Sequence, residues 1–296
     1  MHFLGSGVDV NPLIPLLVAF LVSALTAPAG VSGAFLLLPF QVSVLGFTSP
    51  AVSPTNLIYN VIAAPGGVYR YVREQRVIWP LVAVVILGAL PGVFVGAVVR
   101  ITYLSDLGSF KVFVGFVLLY LGTRLLYEVG TRIRSGPWGS IPLDSDVTME
   151  WVSASMCQVE YHFGGKRYTF SIPAVFVLSL VVGIIGGIYS VGGGSIIAPF
   201  LVTVFGLPVY TVAGATMIST FATSVGGVAF YELLATTSLG SQAAVAPDWL
   251  LGLVLGVGGF IGTYVGARLQ RFLPDFWIRA TLGVLVTILA FSYIVL

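Results

Sequence analysis

Charge is what this sequence has least of. Only 13 lysines and arginines and 11 acidic residues occur in 296, or 8%, against roughly 25% in soluble domains. That scarcity excludes an ordinary soluble domain. The net charge of +2 says nothing about nucleic acid, and with no basic tract to suggest one, no nucleic-acid partner is expected. A single cysteine, Cys157, rules out an internal disulfide and any cysteine-based metal cluster. The two histidines, His2 and His162, are too far apart in sequence to suggest a zinc site. No apolar segment holds an acid pair, a His-Glu helix motif or a Ser-His-Asp set. The chain is therefore not read as an enzyme and calls for no cofactor; an integral membrane enzyme is the remote alternative. Before the first apolar run there is no basic region, so that run is expected to be retained rather than cleaved as a signal peptide. What is abundant is apolar: 57% hydrophobic residues and a mean hydropathy of +1.04 describe a multi-pass protein of the cell membrane, with the lipid bilayer as its medium.

One stretch interrupts that apolar background, Gly186-Gly187-Ile188-Tyr189-Ser190-Val191-Gly192-Gly193-Gly194-Ser195, followed by Ile196-Ile197-Ala198-Pro199-Phe200. Each glycine in a helix interior costs about 1 kcal/mol relative to alanine, so a helix break is expected here. In a bilayer, broken backbone survives only where protein or a water-filled cavity satisfies it. A short helix starting near Ser195 would point its free N–H groups back into the glycine turn, an arrangement suited to an anion.

A second copy lies 160 residues earlier. In Ala29-Gly30-Val31-Ser32-Gly33-Ala34-Phe35-Leu36-Leu37-Leu38-Pro39-Phe40, Val31, Gly33, Pro39 and Phe40 align with Val191, Gly193, Pro199 and Phe200. Gly46 then aligns with Gly206, and Gly66-Gly67-Val68 with Gly226-Gly227-Val228. After a small insertion, Gly88, Gly92 and Gly96 match Gly258, Gly262 and Gly266. Paired interrupted segments at equivalent places in two halves point to a transporter binding site.

The expected organisation is a first membrane repeat over 1–129, a polar cytoplasmic connector over 130–171 and a second repeat over 172–296. Apolar stretches at 77–100, 107–128, 247–270 and 275–296 reach the roughly 20 residues a span needs. Residues 12–47 are too long for one span and short for two, which suggests broken or re-entrant helices. Irregularities are expected in each third segment, at Pro54 and Pro65-Gly66-Gly67, and at Gly214 and Gly226-Gly227. Arg70, Arg73, Arg76, Arg124, Arg132 and Arg134 in the first half, and Arg268, Arg271 and Arg279 in the second, fall on one side only if the halves are inverted. The fold class is thus all-α and polytopic, two inverted-topology repeats with broken or re-entrant helices at the centre. In the connector, apolar residues alternate with polar ones on either side of Gly164-Gly165, which predicts a β-hairpin, with Trp151 and Val152 as candidates for a third strand. Glu232 and Arg70, each a few residues past a Gly-Gly-Val, are the charges with a choice between the bundle interior and the interface at the end of the third segment, the interface being at least as good a place.

The breaks offer neutral donors. Ser32 and Gly33 stand against Gly192, Gly193, Gly194 and Ser195. The third segments add Thr55 and Asn56 on one side and Thr216, Ser219 and Thr220 on the other, with Asn56 over Thr216. Tyr59, Asn60, Tyr69, Tyr189 and Tyr231 line the expected path. Such a cradle suits a small, strongly hydrogen-bonding anion. With no clear midplane carboxylate, a proton and a sodium ion both stay open as the coupling ion.

The sequence resembles the TauE/SafE sulfite exporter family of membrane permeases. The residues that carry the resemblance are the duplicated break followed by an apolar-Pro-Phe run, then Gly206 and Gly214-Ala215-Thr216. The first break departs from the family pattern, with Ala29 to Ala34 in place of a triple glycine and Ser53-Pro54-Thr55-Asn56 in place of Gly-Ala-Thr. The resemblance implies outward secondary transport of sulfite or organosulfonates. Transport or channel-like conduction of another small anion is the alternative.

Overall fold

The computed structural model describes residues 1–27, 32–73, 77–135, 150–155, 157–163, 165–238, 245–269 and 275–295. Ala29, Gly30 and Val31 of the first break lie outside the described residues. The described chain is mostly helical. A small antiparallel pair, β1 (His2–Phe3) and β2 (Val8–Asp9), precedes α1 (Leu13–Thr26), α2 (Ala34–Ser43), α3 (Val52–Ala63), α4 (Pro65–Arg73), α5 (Trp79–Thr102) and α6 (Leu107–Ser135). Strands β3 (Glu150–Ala154), β4 (Gln158–Phe163) and β5 (Lys166–Ser171) follow, then α7 (Ile172–Tyr189), α8 (Gly193–Thr203), α9 (Val209–Ala235), α10 (Trp249–Leu269) and α11 (Asp275–Val295). Five of these helices are long and apolar enough to cross a membrane, those within α5, α6, α7, α9 and α10. Leucines at every fourth position of α1, Leu13, Leu17, Leu21 and Leu25, are exposed, as expected of a face turned to lipid.

Apolar surface does not drive helices together in lipid; close van der Waals contact does, and small residues permit it. The duplicated glycines do this twice. A Cβ at Gly88, Gly92 or Gly96 of α5 would collide with the carbonyl oxygens of Phe176, Leu180 and Ile184 of α7. A Cβ at Gly258, Gly262 or Gly266 of α10 would collide with those of Leu16, Phe20 and Ala24 of α1. The two sets correspond residue for residue, so the duplication seen in the sequence reappears as duplicated packing. Each glycine helix lies along the first helix of the opposite half, and the rising numbers on both sides make each pair parallel.

Equivalent helices pair differently. Gly115 of α6 meets Ala290 and Ile294 of α11, Gly122 meets Thr287, and Gly283 meets Leu126. Likewise Gly227 of α9 meets Leu57 of α3, and Gly67 of α4 meets Met217. Numbers rise on one side as they fall on the other, so α6 with α11, and α3–α4 with α9, run antiparallel.

One expectation needs correction. The third segment of the second half is not irregular: α9 is helical throughout, through Gly214 and Gly226-Gly227. Its counterpart does divide, between Ala63 and Pro65. The difference is the proline. Pro65 brings a ring and no N–H donor, whereas Val225 holds the matching place in α9. Glu232 takes the interfacial of its two expected places, for it accepts a hydrogen bond from exposed Trp249 Nε1 at 2.8 Å. Arg70's side chain lies outside the described residues. Among the described residues the most deeply buried charge is Arg100, at 0% exposure, followed by Asp248 at 4%.

The expected hairpin is β4–β5, with Val159 opposite Phe170 and Tyr161 opposite Tyr168. Strand β3, which includes Trp151 and Val152, pairs with β4 as a third strand. Val159, Tyr161, Phe163 and Phe170 are buried in one cluster with Ile78 and Leu81 of the α5 end and with Ile197, Leu201, Leu207 and Val212 around α8 and α9. The Tyr161 hydroxyl lies 3.1 Å from Thr211 Oγ1, and burial pushes it up to about 12, so it stays neutral. The connector sheet is therefore packed onto the helical body and is more than a free tether.

Replacing Gly92 or Gly262 by valine should lower stability by about 1–3 kcal/mol, the usual range for overpacking. Leu285→Val, on the exposed face of α11, should be nearly neutral. Thermal unfolding in detergent checks this; wild-type behaviour of both glycine variants would mean that the close approaches do not hold the pairs.

Candidate functional site

Helix α7 ends at a left-handed Ser190 (φ 62°, ψ 30°), whose N–H donates to the Gly186 carbonyl at 2.7 Å. Two residues later Gly192 takes φ 75° and ψ 130°, a conformation that side chains other than glycine's hydrogen resist. Gly193 then begins α8, set against Gly186 and Val182 of α7, so the chain doubles back on itself.

The last carbonyls of any helix lack partners within it. Here side chains from other helices supply them. The Tyr231 hydroxyl donates to Gly187 O at 2.8 Å and Ser53 Oγ to Ile188 O at 3.1 Å. Ser190 O accepts Asn56 Nδ2 at 3.2 Å and Asn60 Nδ2 at 3.3 Å. On the far side of the turn, the Gly194 N–H donates to Thr220 Oγ1 at 3.0 Å.

The first break is tied into the same cluster. Ser32 Oγ donates to Asn60 Oδ1 at 2.8 Å, and Asn56 Nδ2 also donates to Ala34 O at 3.0 Å. The Tyr189 hydroxyl donates to Phe35 O at 2.6 Å. Gly33 sits against the Tyr59 hydroxyl and Ser23 Oγ, which are themselves 2.8 Å apart.

Of the residues expected at the site, Ser32, Asn56, Gly192 and Gly194 thus share one hydrogen-bonded or close-packed cluster, with Gly33 and Gly193 beside them. Thr216 contributes its backbone, because a Cβ at Gly194 would strike its carbonyl oxygen. Its hydroxyl turns to Val212 O at 3.0 Å. Ser219 donates along its own helix, to Ala215 O at 2.8 Å. Thr55 points elsewhere, accepting the Asp248 N–H at 2.9 Å. The side chain of Ser195 lies outside the described residues. Of the tyrosines expected along the path, Tyr69 is exposed. The more central pair is Asn60 and Thr220, which the duplication places over one another. A Cβ on Gly192 would collide with Thr220 and come within 3.5 Å of Asn60 Nδ2.

Most polar capacity here is spent on backbone, but two buried atoms in this cluster have no partner, Ser190 Oγ and Gln41 Oε1. Gln41 Nε2 donates to Asn56 Oδ1 at 3.1 Å. Arg100, in the last turn of α5, donates from Nε to Ser53 Oγ at 3.3 Å, the same hydroxyl that donates to Ile188 O one residue before the end of α7. Nothing in its sequence neighbourhood marks Arg100, because an arginine at a helix end normally reaches water. No group of three His, Cys, Asp or Glu residues able to hold a metal occurs among the described residues.

The family model for the sulfite exporter TauE/SafE matches residues 15–293. The chain is 22% identical over 220 residues to "Probable membrane transporter protein YunE" of Bacillus subtilis (strain 168), covering 73% of this chain and 70% of that one. It is 25% identical over 202 residues to "Probable membrane transporter protein YjnA" of the same organism, covering 65% and 68%. No solved structure matches. With the family model spanning nearly the whole chain, this multi-pass membrane protein belongs to the sulfite exporter TauE/SafE family.

Proposed function

We propose that the protein is a secondary transporter, working outward, of small sulfur-containing anions such as sulfite or organosulfonates, and that it alternates access around the two breaks. It is not an enzyme in this reading. The observation that carries the proposal is the cluster in which Asn56 and Asn60 join both breaks, beside the N-terminus of α8 and the unspent Ser190 hydroxyl. The unpartnered Ser190 hydroxyl and the N–H groups at the start of α8 are donors of the kind an oxyanion's oxygens accept.

We also read the halves 1–129 and 172–296 as inverted repeats about the 130–171 connector, with α1–α2 and α7–α8 as re-entrant hairpins. Supporting this, the equivalent helices α6 and α11, and α3–α4 and α9, run antiparallel. Two-fold related segments run that way when the axis lies in the membrane plane, and parallel when it lies along the normal. In that orientation the connector and its exposed Cys157 are cytoplasmic.

Two measurements test these readings. Ser190→Gly removes a hydroxyl that bonds nothing in the fold and relaxes a left-handed residue, so stability should be unchanged or slightly raised. Sulfite affinity should nevertheless fall roughly 10- to 150-fold, as for one lost hydrogen bond to a charged ligand. Flux of sulfite and sulfonates in proteoliposomes, read beside the melting temperature, decides; unaltered affinity would remove Ser190 from the site. A membrane-impermeant maleimide should label Cys157 only after cells are permeabilised, and ready labelling of sealed right-side-out cells would overturn the orientation.

A further inference from the structure

We infer that Arg100 supplies the positive charge that recognises the transported anion, with its free Nη2 edge as the contact. The inference rests on the anion-transport reading above and adds an ionic contact to it. The guanidinium is fully buried at the end of α5, under the turn into α6. Its surroundings account for most of it. Nε donates to Ser53 Oγ at 3.3 Å, Nη1 donates to Leu104 O, and the guanidinium carbon stands 3.7 Å from the Phe110 ring centroid. Nη2 is buried and bonds nothing. Among the described residues no carboxylate forms an ion pair with Arg100.

A buried cation is costly, and proteins ordinarily offset it with a carboxylate or a ligand. Here the first is missing. The neutral partners do not need a charge: a hydroxyl and a carbonyl can be served by an amide. The duplication makes the same point. Gly96-Ala97 corresponds to Gly266-Ala267, so the position matching Arg100 is Gln270, and an architecture that uses the same glycine packing twice has a cation at only one of the two places. The location also fits. Ser53 Oγ accepts the Arg100 hydrogen bond and donates its O–H to Ile188 O, two residues before Ser190. Tyr231, which donates to Gly187 O, is close enough to feel the Arg100 charge. The guanidinium is thus linked through Ser53 to the carbonyl end of α7 at the second break, and its unpartnered Nη2 offers N–H donors of the kind suited to an oxyanion.

The test uses the full-length protein in detergent, with sulfite, sulfate and nitrate as probes, and measures dissociation constants beside melting temperature and folded yield. Arg100→Gln should weaken sulfite binding by at least roughly 10- to 150-fold. Arg100→Lys keeps the charge but loses the planar fork, and should restore part of that affinity while staying about fivefold or more below wild type. Should Arg100→Gln fail to fold, Arg100→Lys decides alone: affinity within twofold of wild type would mean that the guanidinium does not touch the anion. Wild-type affinity in folded Arg100→Gln overturns the inference while leaving the transport reading intact. If wild-type protein binds none of the three anions, the transport reading fails and takes this one with it.

Discussion

Broken backbone within a membrane protein must find its hydrogen bonds inside the protein, because lipid offers none. Around Ser190 that demand is met from three helices, through Ser53, Asn56 and Asn60 of α3, Tyr231 and Thr220 of α9, and Gly186 of α7 itself. Much of what makes this region polar is therefore committed to holding the turn open in one shape. The arrangement crosses between the halves in both directions. Asparagines of the first half serve the break of the second, and Tyr189 of the second serves Phe35 of the first. Neither break can keep its geometry without the other half.

Commitment of this kind separates residues that build the site from those free to act in it. Asn56 spends both its amide protons and its oxygen on the protein, and so sets the distance between the breaks. Ser190 Oγ and Arg100 Nη2 remain unspent. In the reading proposed above, these two are the groups left to meet an anion.

Much of this was legible in the sequence, and the failures have physical causes. The glycines at 88, 92, 96, 258, 262 and 266 announced the duplication, and their role as close-packing points follows from their spacing of four, one face of a helix. The β4–β5 hairpin followed from alternation. Gly226-Gly227 misled because glycine weakens a helix only by degrees, while Pro65 in the other half removes a donor outright. Thr55 misled because its neighbours on α3 face the breaks, whereas its own hydroxyl faces α10. Arg100 escaped notice because sequence shows a helix-terminal arginine without showing the α5–α6 turn and the Phe110 ring that close over it.

The glycine pairing of α5 with α7, and of α10 with α1, has a consequence for how the chain is made. A ribosome delivers α1 and α5 long before α10 and α7 exist. During that interval the Gly88–Gly96 face of α5 has no partner to press against, and lipid chains fill a groove that backbone will later occupy. The close packing of the first half is therefore complete only once α7 and α10 are in place. Damage to the last hundred residues would leave the first hundred exposed to quality control, even where their own sequence is intact.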